Sequence, residues 1–376
     1  MPSCPAAVLI AVAVTTSLAA CSQPDSVGGA PPATTGPGSG SSADGGGTPP
    51  PPTDGGVGNT VTATCGNYDI IAEPAEMPNP PGYRAVAGTA AGDLYVAGVR
   101  GLLHRSPGGA WTNSSDVVDI VALSATAQDV FAATQKGRVM HLSGAAAWTD
   151  AVAIPMEIVS LAAVSATEVY AVANGGGAHI LHTRDAGASW KVAVISYGLR
   201  PAYLTRIWAR SAGDVYAVGE LKWGTMPFAY VYRSAGDDQW TLAGDGVGMR
   251  TLGAIWGVGE TTYIGGEGEP FWAGHVLGTS PDGHWIDDGV PYGPDWSPDL
   301  PGIIDMWGGL ESPLFAVATG VATEPASILL ARCPGQGWTR LFQNLGVLWR
   351  LWGPPGGREL YVVGDAIHHF RIAARP

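Results

Sequence analysis

From residue 63 onward the chain consists of short apolar runs separated by turn residues, a pattern that predicts β-strands. One phrase recurs: an apolar strand, an acidic or small turn residue, an aromatic in a second strand, a third strand, a glycine turn and a tryptophan. The second-strand aromatics recur every 36 to 52 residues. They are Tyr95, Phe131, Tyr170, Tyr216, Tyr263, Phe315 and Tyr361. A four-strand unit of this period is typical of a propeller blade, so the sequence predicts an all-β, seven-bladed β-propeller.

Tryptophans follow the same period in two series. One series follows the glycine turns and opens a fourth strand: Trp111, Trp148, Trp190, Trp240, Trp285 and Trp338. The other lies in inner strands, seven to nine residues before the second-strand aromatic: Trp208, Trp256, Trp307 and Trp352. Large aromatics fill the space between twisted sheets, so both series are predicted to pack between blades.

The seventh repeat ends at Pro376 without a fourth strand. The segment Cys65–Ala72, which precedes the first repeat, has the pattern of a fourth strand that lacks the other three. A propeller that does not close its ring leaves open strand edges. We therefore expect the N-terminal strand around Tyr68–Ala72 to complete blade seven.

Composition agrees with this fold and limits the partners. The chain has 55 Gly and 30 Pro, only 14% charged residues, and 14 Trp and 12 Tyr that can fill a core. The net charge is −13 with three lysines, whereas nucleic-acid binding needs a basic face. Nucleic acid is therefore not expected as a partner.

The N-terminus resembles a bacterial lipoprotein signal. An apolar run, Ala6–Val14, is too short to span a bilayer and has the length of a signal-peptide core. The sequence Leu18-Ala-Ala-Cys21 that follows is similar to a lipobox. The resemblance implies a signal peptide over residues 1–20 and lipidation of Cys21. An ordinary cleaved signal with an incidental cysteine is the alternative.

Two further features bear on the localisation of the protein. Residues 1–5 contain no Lys or Arg, which leaves the true translation start open. Ser22 follows the cysteine where retained lipoproteins have Asp, and this resemblance favours the outer membrane. The expected localisation is an outer membrane lipoprotein that faces the periplasm or the cell surface, with the membrane touched through the lipid anchor only.

Residues 21–62 form the next predicted region. Between residues 22 and 60, 29 of 39 residues are Gly, Pro, Ser or Thr, and no Leu, Ile or aromatic residue occurs. Such a segment cannot bury enough apolar surface to offset its ordering entropy. We expect a disordered linker that acts as a tether for the propeller over residues 63–376.

Two turns carry a family resemblance. Thr183-Arg-Asp-Ala-Gly-Ala-Ser-Trp190 matches the Asp-box (BNR) repeat pattern, and Ser280-Pro-Asp-Gly-His-Trp285 is a shortened version. The chain thus resembles secreted propellers of the broad sialidase-like, Asp-box and WD-repeat-like superfamily. The resemblance implies the fold; functions in that superfamily range from glycosidases to binding scaffolds.

A sialidase-like glycosidase is the alternative function. Sialidases bind a carboxylate with three arginines, and inner-strand arginines occur here as Arg84, Arg206 and Arg350, with Asp305 at the register of the last two. However, the Arg-Ile-Pro motif is absent, seven repeats replace six, and no Tyr and Glu nucleophile pair can be assigned by motif. We therefore expect a non-catalytic protein.

Histidines and acids recur at fixed repeat positions. His104, His141 and His182, with His368 or His369, share one third-strand position, and equivalent positions of different blades are too far apart to share a metal. We expect these histidines to be hydrogen-bonded within their blades. Turn capping explains the repeated acids, Asp93, Asp129, Glu168, Asp214 and Glu359. No metal or cofactor is expected.

Two cysteines remain after Cys4 and Cys21 are assigned to the signal and the lipid. Cys65 and Cys333 are an even pair in an oxidising compartment, and both precede a fourth-strand aromatic of neighbouring blades. A disulfide between them and two isolated thiols are both open at this stage.

The repeats are stretched in blades four to six, in connections that open on one face of a propeller. These insertions carry acids and the aromatics Trp223, Phe228, Phe271, Trp272, Tyr292 and Trp296. Exposed aromatics with carboxylates suit stacking on sugars or gripping a peptide. The alternative is that the loops pack on themselves. We expect a monomeric binding or scaffold module for an envelope protein or a glycan.

Overall fold

A computed structural model describes residues 61–78, 82–144, 146–195, 202–223, 226–245, 248–268, 274–289, 302–319 and 327–375, with no account of the side chains of 222, 223, 226, 227 and 245. The described residues form 29 strands in seven sheets, six of four strands and one of five. The inner strands follow one another round a ring, and the last contacts the first. The predicted seven-bladed β-propeller is confirmed.

The strands fall into blades in chain order. Blade one contains β3 (Tyr83–Gly88), β4 (Leu94–Gly98), β5 (Gly101–Arg105) and β6 (Thr112–Ser115); blade two contains β7 (Ile120–Ala125), β8 (Asp129–Thr134), β9 (Val139–Ser143) and β10 (Thr149–Asp150). Blade three contains β11 (Glu157–Ala163), β12 (Val169–Asn174), β13 (Ala178–Thr183) and β14 (Lys191–Ile195). Blade four contains β15 (Ala202–Ser211), β16 (Asp214–Trp223), β17 (Met226–Ser234) and β18 (Thr241–Asp245).

Blades five and six follow the same plan, and blade seven draws on both ends of the chain. Blade five contains β19 (Met249–Val258), β20 (Thr261–Gly268), β21 (Gly274–Thr279) and β22 (Trp285–Asp287). Blade six contains β23 (Gly302–Gly308), β24 (Leu314–Thr319), β25 (Ser327–Cys333) and β26 (Gly337–Gln343). Blade seven contains β27 (Leu348–Trp352), β28 (Glu359–Gly364), β29 (Ile367–Ala374), β2 (Tyr68–Ala72) and β1 (Val61–Cys65).

The predicted closure by the N-terminal strand is confirmed. Strand β2 pairs antiparallel with β29 along its whole length, from Tyr68 opposite Ala374 to Ala72 opposite Phe370. Ile70 at its centre is fully buried in a cluster with residues of blades six and seven. The sequence reading missed β1, which adds a fifth strand outside β2. Its short, Thr-rich sequence resembles the predicted linker before it.

Each inner strand contains a β-bulge at the same level, where its pairing with the second strand shifts by one residue. The backbones approach closely there. A Cβ on Gly219 would lie 2.0 Å from the carbonyl oxygen of Tyr203, and one on Gly364 would lie 1.7 Å from that of Val347. Glycine is therefore required where several second-strand phrases end, and the bulge decides which inner-strand side chain faces the channel.

The inner-strand tryptophans pack between blades, as predicted. Trp352 of blade seven lies against Gly88 of blade one, where an added Cβ would stand 2.3 Å from the indole. Trp208 lies against Gly257 of the next blade in the same way. The Trp256 indole N–H donates to the Gly308 carbonyl at 2.8 Å. A large ring on one blade is thus matched by a glycine on the next.

Three of the four repeat histidines are hydrogen-bonded within their blades, as predicted, whereas Nε2 of His369 has no hydrogen-bond partner among the described residues. Each stacks on the second-strand aromatic and faces the repeated acid: His104 with Asp93 at 2.7 Å, His141 with Asp129 at 3.0 Å, His182 with Glu168 at 3.0 Å, and His369 with Glu359 at 4.0 Å. The acids therefore do more than cap turns, because their carboxylates hold the imidazoles against the aromatic rings. In blade four Arg233 replaces the histidine and pairs with Asp214.

The turn at Thr183–Trp190 is closed by its own side chains. The Asp185 carboxylate accepts hydrogen bonds from the Ser189 hydroxyl, the Thr183 hydroxyl and the Ser189 N–H. These bonds hold the pKa of Asp185 at about 2. Gly187 takes φ of 90° and donates its N–H to the Thr183 hydroxyl at 2.9 Å. Thr183, Asp185 and Gly187 of the turn pattern therefore each help to shape this turn.

Cys65 and Cys333 form a disulfide in the structure, with Cα atoms 4.9 Å apart and both residues buried. The bond joins the fifth strand of blade seven to the third strand of blade six across 268 residues. Such a bond limits the freedom of the unfolded chain, because it closes a loop of most of the propeller.

We expect the disulfide to be present in protein isolated from an oxidising compartment, and its loss to cost about 3 kcal/mol of stability. Non-reducing peptide mapping detects the bond, and denaturant unfolding of a Cys65→Ser/Cys333→Ser variant measures its contribution. Two alkylatable thiols in native protein, or an unchanged unfolding midpoint in the variant, would contradict the assignment.

Candidate functional site at the channel mouth

The connections from second to third strands, and from one blade to the next, open on one face, called here the insertion face. Phe228 lies in β17 with 39% of its side chain exposed. Trp223 ends β16, so the blade-four insertion lengthens a hairpin instead of forming a loop. Phe271, Trp272, Tyr292 and Trp296 lie outside the described residues. The described part of the chain therefore places the predicted blade-four aromatics on one hairpin.

The bulges put a mixed ring of side chains at one level of the central channel. In each blade, the residue after the bulge pairs with the residue two positions beyond the second-strand aromatic. Blades one, two, three and five place small residues there. The ring reads Ala85, Ala122, Ser160, Arg206, Ala254, Asp305 and Arg350. The small residues leave room for the three charged side chains.

Arg206 reaches across the channel past blade five. Its guanidinium donates to the carbonyl of Ile304 in blade six at 2.9 Å and to that of Thr205 at 2.8 Å. Gly253 and Ala254 of blade five have no side chain long enough to block this path. Arg206 therefore links blade four with blade six.

Asp305 lies between the two arginines in the ring. Its carboxylate accepts the backbone N–H of Leu351 at 2.9 Å and stands 3.8 Å from Arg206 Nε. The side chains of Arg206 and Asp305 are only 13% and 15% exposed. Among the described residues, Nε of Arg206 is a buried donor with no hydrogen-bond acceptor.

Electrostatics follow from this burial. Burial and the neighbouring Arg350 cation lower the pKa of Arg206 to about 9, while Asp305 opposes the shift. Burial also lowers the pKa of Arg350, again against Asp305. Arginine stays protonated in proteins, so the cluster combines two guanidinium cations with one carboxylate. We call Arg206, Asp305 and Arg350 the channel cluster.

The two arginines of the channel cluster form the floor of an open cavity on the insertion face. Arg206 and Arg350 line both the channel, a space of about 250 Å³, and this outer cavity of about 530 Å³. The outer cavity is called here the channel mouth. Its rim carries the aromatics Tyr203 and Trp349, each 41% exposed. The rim also carries the charged residues Arg84, Glu157 and Glu220.

The opposite end of the channel differs in character. A cavity of about 460 Å³ there is lined by glycines, alanines and the inner tryptophans Trp256, Trp307 and Trp352. The described residues that line it include no charged side chain, and Leu310 at its edge is 81% exposed. The two ends of the channel are therefore chemically distinct in the described residues, where the mouth on the insertion face combines charged and aromatic side chains.

Sequence reasoning found part of this site. Arg84, Arg206, Arg350 and Asp305 were noted for their inner-strand positions, and all four line the channel or its mouth. Tyr203, Trp349, Glu157 and Glu220 were missed. These residues lie near the start of an inner strand or near the end of a second strand. That position identifies them as mouth residues only once the position of the bulge is known.

Several kinds of site have no counterpart in the part of the chain that the structure describes. No group of three His, Cys, Asp or Glu side chains is placed there to hold a metal ion. Within the same residues, no helix has the length and hydropathy needed to cross a membrane.

Comparison with known proteins identifies the fold but no family. No protein-family model matches the chain, and no curated protein matches it in sequence. Solved structures do match over most of the chain. YCF48 bound to D1 peptide has a TM-score of 0.56 and 14% identity, over 83% of this chain and 99% of that one.

Two further propellers are similar at low identity. Virginiamycin B lyase from Staphylococcus aureus has a TM-score of 0.61 and 8% identity, over 81% of this chain and 99% of its own. A chain of the mitotic checkpoint complex has a TM-score of 0.58 and 10% identity, over 86% and 97% of the two chains. These similarities show the fold, which serves an enzyme in one case and a protein assembly in another, so function must be argued from the site.

Proposed function

We propose that this protein is a membrane-anchored, extracytoplasmic binding module whose partner docks on the insertion face at the channel mouth. The observation that carries the proposal is the pairing of two exposed aromatics, Tyr203 and Trp349, with a charged floor. Exposed aromatic anchors beside convergent polar groups are typical of binding sites.

A protein partner is favoured over a glycan. The similar propeller YCF48 was solved bound to a peptide, and another similar chain belongs to a multiprotein complex. Both examples are too distant to transfer a partner, but they show that this architecture can bind proteins. The insertion aromatics Trp223, Phe271, Trp272, Tyr292 and Trp296 are included in the proposed surface on the sequence prediction alone.

Substitution of the rim aromatics tests the proposal. We expect Tyr203→Ala/Trp349→Ala to abolish capture of the envelope partner, since loss of a central interface anchor costs about 2 kcal/mol or more. The variant should melt within a few degrees of the unaltered protein, because both side chains are largely exposed. The same pull-down from envelope extract applies to a Trp223→Ala/Trp296→Ala variant.

Leu310→Ser is the matched control, since Leu310 is 81% exposed at the opposite end of the channel. It should retain the partner. If Tyr203→Ala/Trp349→Ala captured as much partner as Leu310→Ser, or if only Leu310→Ser lost capture, the partner would bind elsewhere.

The proposed anchor is a lipid on Cys21, which rests on the lipobox-like Leu18-Ala-Ala-Cys21. We expect Cys21→Ser to release the protein from membranes, because two acyl-chain signals are needed for stable anchoring and the substitution removes the acceptor thiol. Membrane fractionation and the intact mass of the mature protein measure this. A soluble unaltered protein without acyl groups would refute the anchor and leave the binding site untouched.

A sialidase-like glycosidase is the second candidate, favoured by one observation. Tyr203 and Glu220 are directly opposed across β15 and β16, at a mouth that also contains three arginines. Such a tyrosine and acid pair is what the sequence motifs did not supply. Release of sialic acid from a sialoside, lost in Tyr203→Phe, would support this candidate. Absence of turnover in the unaltered protein would remove it.

A further inference from the structure

We propose that the channel cluster is an anion subsite that receives the C-terminal carboxylate of the partner. This deepens, and rests on, the proposed function of the channel mouth. The subsite consists of Arg206 and Arg350 at the floor of the mouth, with Asp305 between them. Its ligand class is a single carboxylate at the end of a peptide chain.

Charge is the first argument. Two guanidinium groups and one carboxylate share a largely buried layer, which leaves one positive charge without a partner in the cluster. An uncompensated charge in a protein interior is costly unless an opposite charge approaches it. A bound carboxylate would supply that charge, and arginine is the side chain best matched to carboxylate geometry.

Hydrogen bonding is the second argument. A guanidinium has five N–H donors, and buried donors are normally satisfied. Arg206 uses two of its nitrogens on the carbonyls of Thr205 and Ile304, while its buried Nε has no acceptor among the described residues. Arg350 donates to the carbonyl of Trp349 at 2.6 Å. The cluster therefore has donor capacity that the described residues do not use.

Access favours a chain end over an internal acid. The arginines line both the mouth, of about 530 Å³, and its continuation, the smaller channel space of about 250 Å³. A terminal carboxylate enters such a cavity end-on, whereas an internal Asp or Glu must bring backbone in on both sides. Tyr203 and Trp349 stand at the rim, where they can contact the residues that precede the terminus.

The acids at the rim further restrict the class of ligand that the mouth can bind. Glu157 and Glu220 lie in blades three and four, and the whole chain has a net charge of −13. Both facts disfavour a polyanion. The positive side of the mouth is formed by Arg84 and Arg350 of blades one and seven, so one carboxylate, approaching from that side, fits the charge pattern.

Binding of defined peptides to the purified propeller tests the subsite. The probes are two pools of N-acetylated random hexapeptides, one with a free C-terminal carboxylate and one with a C-terminal amide. A third pool has an amide terminus and one internal Asp, and 3′-sialyllactose represents a glycan carboxylate. We expect the free-acid pool to bind at least tenfold more tightly than the other three, measured by calorimetry and by the rise in melting temperature.

Two variants with opposite expected effects separate binding from structure. Arg350→Gln removes the excess charge, so it should weaken binding of the free-acid pool about tenfold or more without lowering the melting temperature. Asp305→Asn keeps an acceptor for the Leu351 N–H and adds one net positive charge. It should tighten binding and lower the melting temperature. Leu310→Ser is the unchanged control.

Equal binding of the acid and amide pools, or a preference for the internal Asp pool or for 3′-sialyllactose, would overturn the subsite. So would unchanged binding of the free-acid pool by Arg350→Gln, or weaker binding of that pool by Asp305→Asn. Partner capture is measured separately. Capture that depends on Tyr203 and Trp349, without carboxylate preference, would retain the proposed function and reject the subsite. Carboxylate binding without partner capture would reject the proposed function and retain the subsite.

Discussion

Deletion of residues 63–73 is expected to destabilise the whole propeller by about 5 kcal/mol or more. The deletion removes β2, which pairs with β29 over five residues, and the fully buried Ile70. Truncation of a single buried large aliphatic side chain to alanine typically lowers the free energy of unfolding by about 2–5 kcal/mol. The deletion also exposes the edge of β29 and opens the ring between blades six, seven and one.

Denaturant unfolding measures this effect, and two controls isolate its cause. The deletion also removes Cys65, so the Cys65→Ser/Cys333→Ser variant gives the share that belongs to the disulfide. Ile70→Ala keeps both strands and should cost about 2–5 kcal/mol by itself. A chain that begins at residue 61 retains β1 and β2 and should unfold like the full chain. An unchanged unfolding curve after deletion of 63–73 would refute closure by the N-terminal strand.

The second large effect is expected at the joint between the last blade and the first. Trp352 of β27 packs against Gly88 of β3 and stacks on Tyr361, with ring centroids 6.2 Å apart. We expect Trp352→Ala to cost about 4 kcal/mol, because it removes a large side chain from between two sheets. Gly88→Ala should cost about 2 kcal/mol, since the new methyl group would overlap the indole.

A double-mutant cycle tests whether these two residues act on each other. Once Trp352 is alanine, the methyl group of Gly88→Ala meets no indole, so the double variant should be more stable than the sum of the single changes implies. Urea unfolding of the four proteins gives the coupling energy. Additive losses would mean that Trp352 is held by other contacts and that the ring is joined differently.

The fold could be read from the sequence because its units repeat. A second-strand aromatic such as Tyr216 recurs once in every blade, an inner tryptophan such as Trp208 recurs in four of them, and each blade must bury its aromatic against the next. The unmatched strand at Tyr68–Ala72 likewise had one place where its edge could be paired. Repetition and edge pairing thus determine the architecture with little help from any single residue.

The residues of the channel mouth could not be predicted from the repeat pattern in the same way. Strand alternation predicts which side chains face a channel only while the pairing is regular, and a bulge moves each later side chain to the other face. Every inner strand has such a bulge just before Arg206, Asp305 or their equivalents. Tyr203 lies before that break and Trp349 is itself the extra residue of the blade-seven bulge, so their shared position at the rim depends on geometry that the repeat pattern does not encode.

The charged cluster also explains why the two ends of one channel differ. The same inner strands that place Arg350 at the insertion face place Trp352 at the opposite end, two residues later. Side chains two residues apart lie on the same face of a strand, so the rise along the strand puts a charged side chain at one end of the channel and an apolar packing surface at the other. The first is available to a partner, while the second mainly joins blade to blade.

The most direct test of the account is site-specific photo-crosslinking on intact cells. A photoreactive phenylalanine analogue is placed at Trp349 on the rim of the mouth or at Leu310 at the opposite end, both of which are exposed. The account predicts a discrete protein adduct from position 349, absent from position 310 and lost when Tyr203 and Arg350 are also replaced. An adduct from position 310 alone, or equal adducts from both positions, would contradict a binding site at the channel mouth.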